Sequence, residues 1–137
     1  MAVLEPSREL DAIARAAIGA ALEVHRVLGP GFLESIYEEA LAIELELRGM
    51  SFERQKVVSV PYKGRLAGEG KLDFVVEQQL VVELKAIDRL LPIHRAQVIS
   101  YLKATGQHLG LLINFHESQL RYGIKRVVLT PIHSPAL

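Results

Sequence analysis

The chain has no cysteine. It therefore has no disulfide, no thiol nucleophile and no cysteine set for an iron–sulfur cluster, and this absence fits a reducing compartment. It also has no charge excess: sixteen Lys and Arg stand against sixteen Asp and Glu. A chain balanced in this way does not coat nucleic acid by bulk charge, although a local basic face is still open to it. No apolar run approaches the roughly 20 residues of a membrane span. The start, Met1-Ala2-Val3-Leu4-Glu5-Pro6, has neither the basic opening nor the long apolar centre of a secretory leader. Internal repeats, low-complexity tracts and long linkers are missing too. The expectation is a cytoplasmic protein that makes no membrane contact.

What is present suits a globular fold. Half of the 137 residues are apolar and 23% are charged, enough for a core of useful size. The expectation is one domain over residues 1–137, with its core at about 8–129 and a loose tail at 131–137. Charge is uneven along the chain. Residues 1–70 carry eleven acids and eight bases, and residues 71–137 carry five acids and eight bases. The apolar richness also leaves room for a homodimer surface.

Periodicity gives the element order. Ser7 is a plausible N-cap, with Glu9 and Asp11 in the first turn behind it. Leu10, Ile13, Ala14, Ala17, Ile18, Ala21, Leu22 and His25 follow at helical spacing, and Leu28-Gly29-Pro30-Gly31 stops that helix. A second helix is predicted from about Phe32 to Arg48, with Leu33, Ile36, Tyr37, Ala40, Leu41 and Leu45 as its apolar stripe. Strands are predicted at 52–62, 65–76 and 80–86. Pro92 suits the first position of a third helix that ends before Gly106, with Ile93, Ala96, Val98, Ile99 and Leu102 facing inward. Leu109 to Phe115 reads as a strand buried on both faces, and Ile124 to Leu129 as a last strand. The fold class is therefore α/β: a mixed sheet of four or five strands flanked by helices, in the order ααβββαββ.

Three residues do not suit an ordinary buried strand: Asp73, Glu83 and Lys85. Glu83 and Lys85 are two apart, so their side chains share a face. If the turn centres on Gln78, opposite positions sum to 156 and Asp73 faces Glu83 at about 5 Å. Two carboxylates that close need a shared proton or a cation between them. Oxygen ligands suit Mg²⁺ or Mn²⁺, and Lys85 is placed to orient a water or offset phosphate charge. A turn shifted by one residue would put Asp73 on the other face. On spacing alone, an ion-paired surface patch and a metal site both remain open.

More of the chain bears on that choice. Gly31-Phe32-Leu33-Glu34-Ser35-Ile36-Tyr37 spells G-x-x-E-x-x-Y. With Leu28-Gly29-Pro30-Gly31, Val82-Glu83-Leu84-Lys85-Ala86 and Leu111-Leu112-Ile113-Asn114-Phe115, it resembles the GxxExxY proteins, assigned to the PD-(D/E)xK nuclease superfamily. The resemblance runs from about Ile18 to Val128. It implies a restriction-endonuclease-like core and a metal-dependent hydrolase of phosphodiester bonds. By that resemblance Glu34, Asp73 and Glu83 hold the Mg²⁺ or Mn²⁺, and Lys85, Glu83 and Asp73 are catalytic. Gln97-Val98-Ile99-Ser100-Tyr101 resembles the Q-x-x-x-Y motif of the RecB-type branch, which implies that Gln97 and Tyr101 order the substrate side. The implied partner is nucleic acid, DNA ahead of RNA.

The remaining candidates have plainer readings beside the functional ones. Glu34 alone is a first-turn acid favoured by the helix dipole. Tyr37 lies on the apolar stripe and reads as core. His94, three before Gln97, shares its face and is either a substrate contact or a structural histidine. Arg89, Arg95, Lys103, Arg121, Lys125 and Arg126 read as solvated charges or as phosphate contacts. The alternative to an enzyme is a non-catalytic nucleic-acid- or protein-binding module that keeps the nuclease fold.

Overall fold

The computed structural model describes residues 6–129. The tail at 131–137, expected to be loose, lies outside the described residues.

The first helix, α1 (Arg8–Leu28), begins where Ser7 Oγ accepts the Leu10 N–H at 3.1 Å. It ends at Gly29, whose φ of 69° is left-handed and whose N–H donates to His25 O at 2.7 Å. It buries Leu10, Ala14, Ala17, Ala20, Ala21 and Val24. Four alanines in that set let neighbouring backbone approach closely. Leu22, expected to face inward, is exposed.

The second helix, α2 (Glu34–Leu47), starts two residues later than the sequence implied. The reason is Tyr37. Its hydroxyl donates to Gly29 O at 2.5 Å and accepts the Phe32 N–H at 3.1 Å, which holds residues 29–32 as a turn. Leu33 and Ile36 lie on the solvent side of this start, and the buried set is Tyr37, Leu41, Ala42 and Leu45. The Tyr37 ring stacks on Phe115, with centroids 4.6 Å apart.

Five strands follow: β1 (Phe52–Tyr62), β2 (Arg65–Val76), β3 (Leu80–Lys85), β4 (Leu109–Asn114) and β5 (Ile124–Val128). Helix α3 (Pro92–Thr105) joins β3 to β4. The sheet order is β1-β2-β3-β4-β5. β3 and β4 are parallel, which the α3 crossover requires, and the other pairs are antiparallel. This is the mixed, helix-flanked α/β sheet expected from the sequence.

Each face of the sheet has its own core. Phe74, Val76, Leu80, Val82, Leu84, Leu111 and Ile113 pack with α1 and α2. Val58, Leu72, Val75, Val81, Leu112 and Val127 pack with Val98 and Leu102 of α3. Ile93 and Ala96, expected on the buried stripe of α3, are exposed. β4 is buried along its whole length, as its unbroken apolar run implied.

Candidate active site at the fork between β2 and β3

The β2–β3 turn centres on Gln78. Glu77 and Gln78 both have positive φ, 52° and 61°, and the Gln79 N–H donates to Val76 O at 3.1 Å. Cα partners are Val76–Leu80, Val75–Val81 and Phe74–Val82, so each pair sums to 156. The backbone ladder stops there, and one step further, at Asp73 and Glu83, side chains take over from the backbone. The Asp73 N–H donates to Glu83 Oε1 at 2.9 Å, and the Leu84 N–H donates to Asp73 Oδ2 at 2.8 Å. The ladder forks where the two acids sit.

Alternation in β2 also breaks at this point. Leu72 belongs to the α3-side core and Phe74 to the α1/α2-side core, although they are two apart. Regular pleating would put both on one face. The switch falls at Asp73. Simple alternation from Val75 therefore does not describe how Asp73 is presented.

The electrostatics are strained. Burial pushes the Glu83 carboxyl up from 4.5 to about 8, the Asp73 charge pushes the same way, and the Asp73 N–H and Lys85 oppose them. Burial likewise raises Asp73, assisted by the Glu38 charge and opposed by the Leu84 N–H. Glu34, the first residue of α2, is raised by burial and then by Asp73, with Lys85 pulling it down. Glu34, Asp73, Glu83 and Lys85 therefore share one electrostatic neighbourhood. Lys85 is half-buried and makes no direct ion pair among the described residues. Its carbonyl accepts the Phe115 N–H at 2.9 Å.

The donor set fits a hard divalent cation in kind: carboxylate oxygens, a charge surplus and a nearby ammonium. Mg²⁺ takes one or two carboxylates and completes its shell with water, so Asp73 and Glu83 suffice in number. Among the described residues no group of three His, Cys, Asp or Glu side chains stands ready to hold a metal ion together. Glu34 belongs to the neighbourhood by charge and does not close a three-carboxylate cage.

The proposed substrate side lies on α3. Tyr101 lies against β2: a Cβ added to Gly70 would stand 2.7 Å from Tyr101 Cε1 and 3.0 Å from its hydroxyl. Gln97 is exposed. His94 has a structural task, since its Nδ1 accepts the Leu91 N–H at 2.9 Å and so caps its own helix. Arg126, one of the candidate phosphate contacts, is paired with Asp11.

Sequence reasoning missed Gln55 and Glu38. Gln55 Nε2 donates to Glu38 Oε1 at 2.7 Å and lies 3.3 Å from Asp73 Oδ1. Glu38 follows Glu34 by four residues, hence on the same helix face. That spacing was the available signal for Glu38. Nothing in the sequence pointed to Gln55.

Two acids at a strand fork, a lysine two residues on and a helix-borne acid, all on a mixed five-stranded α/β sheet, define a nuclease-like architecture. The family model of the PD-(D/E)XK nuclease superfamily matches residues 11–127, and the chain belongs to that superfamily. Among solved structures it is similar to the crystal structure of SSO0001, with a TM-score of 0.56 and 18% identity over 73% of this chain. The chain spans about half (52%) of that protein's length, and at this identity the likeness is one of fold. The match supports the restriction-endonuclease-like core. A comparison with curated proteins found no match.

Proposed function

We propose that the protein is a metal-dependent nuclease of the GxxExxY type, hydrolysing phosphodiester bonds of nucleic acid, with DNA ahead of RNA as substrate. The observation that carries this reading is the Asp73–Glu83 pair at the strand fork, Glu83 buried and Asp73 half-buried, with Lys85 beside it. Two raised carboxyls are costly to keep and have a plain use as cation ligands. Asp73 and Glu83 would hold Mg²⁺ or Mn²⁺, and Glu34 would add its charge to theirs. The chemistry such an ion would supply when bound is charge neutralisation at the scissile phosphate. Lys85 orients the attacking water and offsets developing negative charge. The water oxygen bonds to phosphorus and loses a proton, one ester P–O bond breaks, and the leaving oxygen takes up a proton, so that a phosphomonoester and a hydroxyl result. Gln97 and Tyr101 order the substrate side, and His94 contributes through the helix start that it caps.

Further parts of the proposal are a single domain, a cytoplasmic location and a homodimer. No helix among the described residues is long and apolar enough to cross a membrane.

A second reading, a binding module without catalysis, draws support from one feature. The Asp73 and Glu83 carboxylates already accept backbone N–H groups. A nuclease assay with Mg²⁺ or Mn²⁺ on wild type and Lys85→Ala separates the two. The enzyme reading expects cleavage that falls by about 10²-fold or more in the variant. Activity equal in both proteins overturns the assignment. Absence of cleavage together with retained nucleic-acid binding favours the module.

A further inference from the structure

Gln55 occupies an unusual place. It lies inside β1 with a φ of 50°, and it is the only non-glycine residue among those described to take a positive φ away from a turn. Lys63, Glu77 and Gln78 share the sign, but they sit at chain reversals. A left-handed glutamine within a strand costs on the order of 1 kcal/mol or more, and such strain tends to collect at functional positions.

The strain coincides with a gap in the ladder. β1 pairs with β2 at Arg54–Phe74 and at Lys56–Leu72, and the pair between them, Gln55 with Asp73, is skipped. The same step is where β2 changes face between Leu72 and Phe74. The side chain exploits the gap: the Gln55 amide bridges Glu38 Oε1 at 2.7 Å and Asp73 Oδ1 at 3.3 Å. Glu38 is held in turn by Arg54, whose Nη2 lies 2.9 Å from Glu38 Oε2 while its Nη1 reaches Glu39. One line of contacts therefore runs Arg54–Glu38–Gln55–Asp73, from β1 to α2, back to β1 and on to the candidate ligand on β2. Leu84 N–H holds the other Asp73 oxygen.

We propose that Gln55 is a positioning residue that sets the orientation of the Asp73 carboxylate for a divalent cation, with Glu38 as the anchor of its amide. The proposal rests on the metal-dependent reading above. The neutral amide suits the task. It donates to two acids at once and brings no positive charge to compete with a cation for Asp73. Outer partners of metal ligands typically alter affinity by about 10–100-fold when removed.

The experiment titrates Mn²⁺ alone by calorimetry into wild type, Gln55→Gly, Glu38→Ala and the double variant, with thermal unfolding of each. Glycine accepts the left-handed backbone without strain, so Gln55→Gly deletes the amide and keeps the backbone conformation. The expected result is Mn²⁺ binding weakened about 10-fold in Gln55→Gly with no fall in Tm, and no further weakening when Glu38→Ala is added to it. Affinity within twofold of wild type in Gln55→Gly overturns the positioning role and leaves the metal reading standing. Additive losses in the double variant, or a loss of affinity matched by a lowered Tm, also overturn it, since either marks a merely structural role. A wild type that binds no Mn²⁺ overturns the metal reading itself, and this inference with it.

Discussion

The backbone N–H of Asp73 donates to the Glu83 carboxylate at 2.9 Å, and the Asp73 carboxylate accepts from the Leu84 N–H at 2.8 Å. Each acid thus uses an N–H contributed by the other acid's strand segment. These bonds favour the charged forms, but burial outweighs them, helped by the Asp73 charge at Glu83 and by the Glu38 charge at Asp73, and both carboxyls stay raised. A fold that keeps such a pair without compensation gives up stability for it.

Stability should therefore fall as pH rises in the absence of metal. Glu83 titrates near 4.5 when unfolded and near 8 when folded. Between those values the folded state holds a proton that the unfolded state has lost, so raising pH favours unfolding. Below about 4.5 the group contributes no slope, and above about 8 its full penalty is present. The slope is bounded by one proton, about 1.4 kcal/mol per pH unit. Glu83→Gln should remove this part of the slope and unfold at a higher temperature than wild type at pH 8. Denaturation at pH 5, 6, 7 and 8 on both proteins is the measurement; parallel curves would refute the burial argument.

Cation binding should carry the opposite pH sign. A ligand must shed its proton before it coordinates, so Mn²⁺ competes with the Glu83 proton. Affinity should be about 100-fold weaker at pH 6 than above pH 8, given a folded carboxyl near 8. Calorimetry at pH 6.5 in two buffers of different ionisation enthalpy should register about one proton released per ion. Binding independent of pH would place the ion elsewhere.

Tyr37 should matter for stability and little for chemistry. Its hydroxyl joins Gly29 O and the Phe32 N–H, and its ring stacks on Phe115. Tyr37→Phe keeps the stack and strands both backbone groups, a loss of about 1–3 kcal/mol. The expected outcome is a Tm several degrees lower with Mn²⁺ affinity within a few-fold of wild type. A large loss of affinity at unchanged Tm would move Tyr37 into the site.

The sheet and the β2–β3 register from Val76–Leu80 to Phe74–Val82 were legible because short-range chemistry governs both. Glu77, Gln78 and Gln79 are too polar to continue a buried strand, which fixes the turn, and the turn fixes the pairing. Inward stripes were less legible at helix starts. Leu33, Ile36 and Ile93 keep helical spacing yet face solvent, because spacing reports a face and not how far the sheet reaches beneath it. The break in alternation at Asp73 was hidden for a different reason. It depends on a left-handed Gln55 and an anchor at Glu38, which are 17 residues apart, and no local pattern links a helix to a strand across that gap.

Gly70 tests the α3 side of the site. A methyl group there would meet the Tyr101 ring at 2.7 Å, closer than carbon atoms pack, whereas Gly68, two residues earlier on β2, has nothing within 4 Å of the same position. Gly70→Ala must displace Tyr101 or push β2 away from α3, and Gly68→Ala need do neither. Both substitutions remove the same amount of backbone freedom, so the difference between them isolates the contact. Gly70→Ala is expected to cost about 1–3 kcal/mol, in the range of overpacked cores, and Gly68→Ala to be near neutral. If Tyr101 orders the substrate side, Gly70→Ala should also weaken nucleic-acid binding in a gel-shift titration, beyond any change in Gly68→Ala. Equal binding by the two variants, with only Gly70→Ala destabilised, would leave Tyr101 a packing residue and return the substrate side of α3 to Gln97.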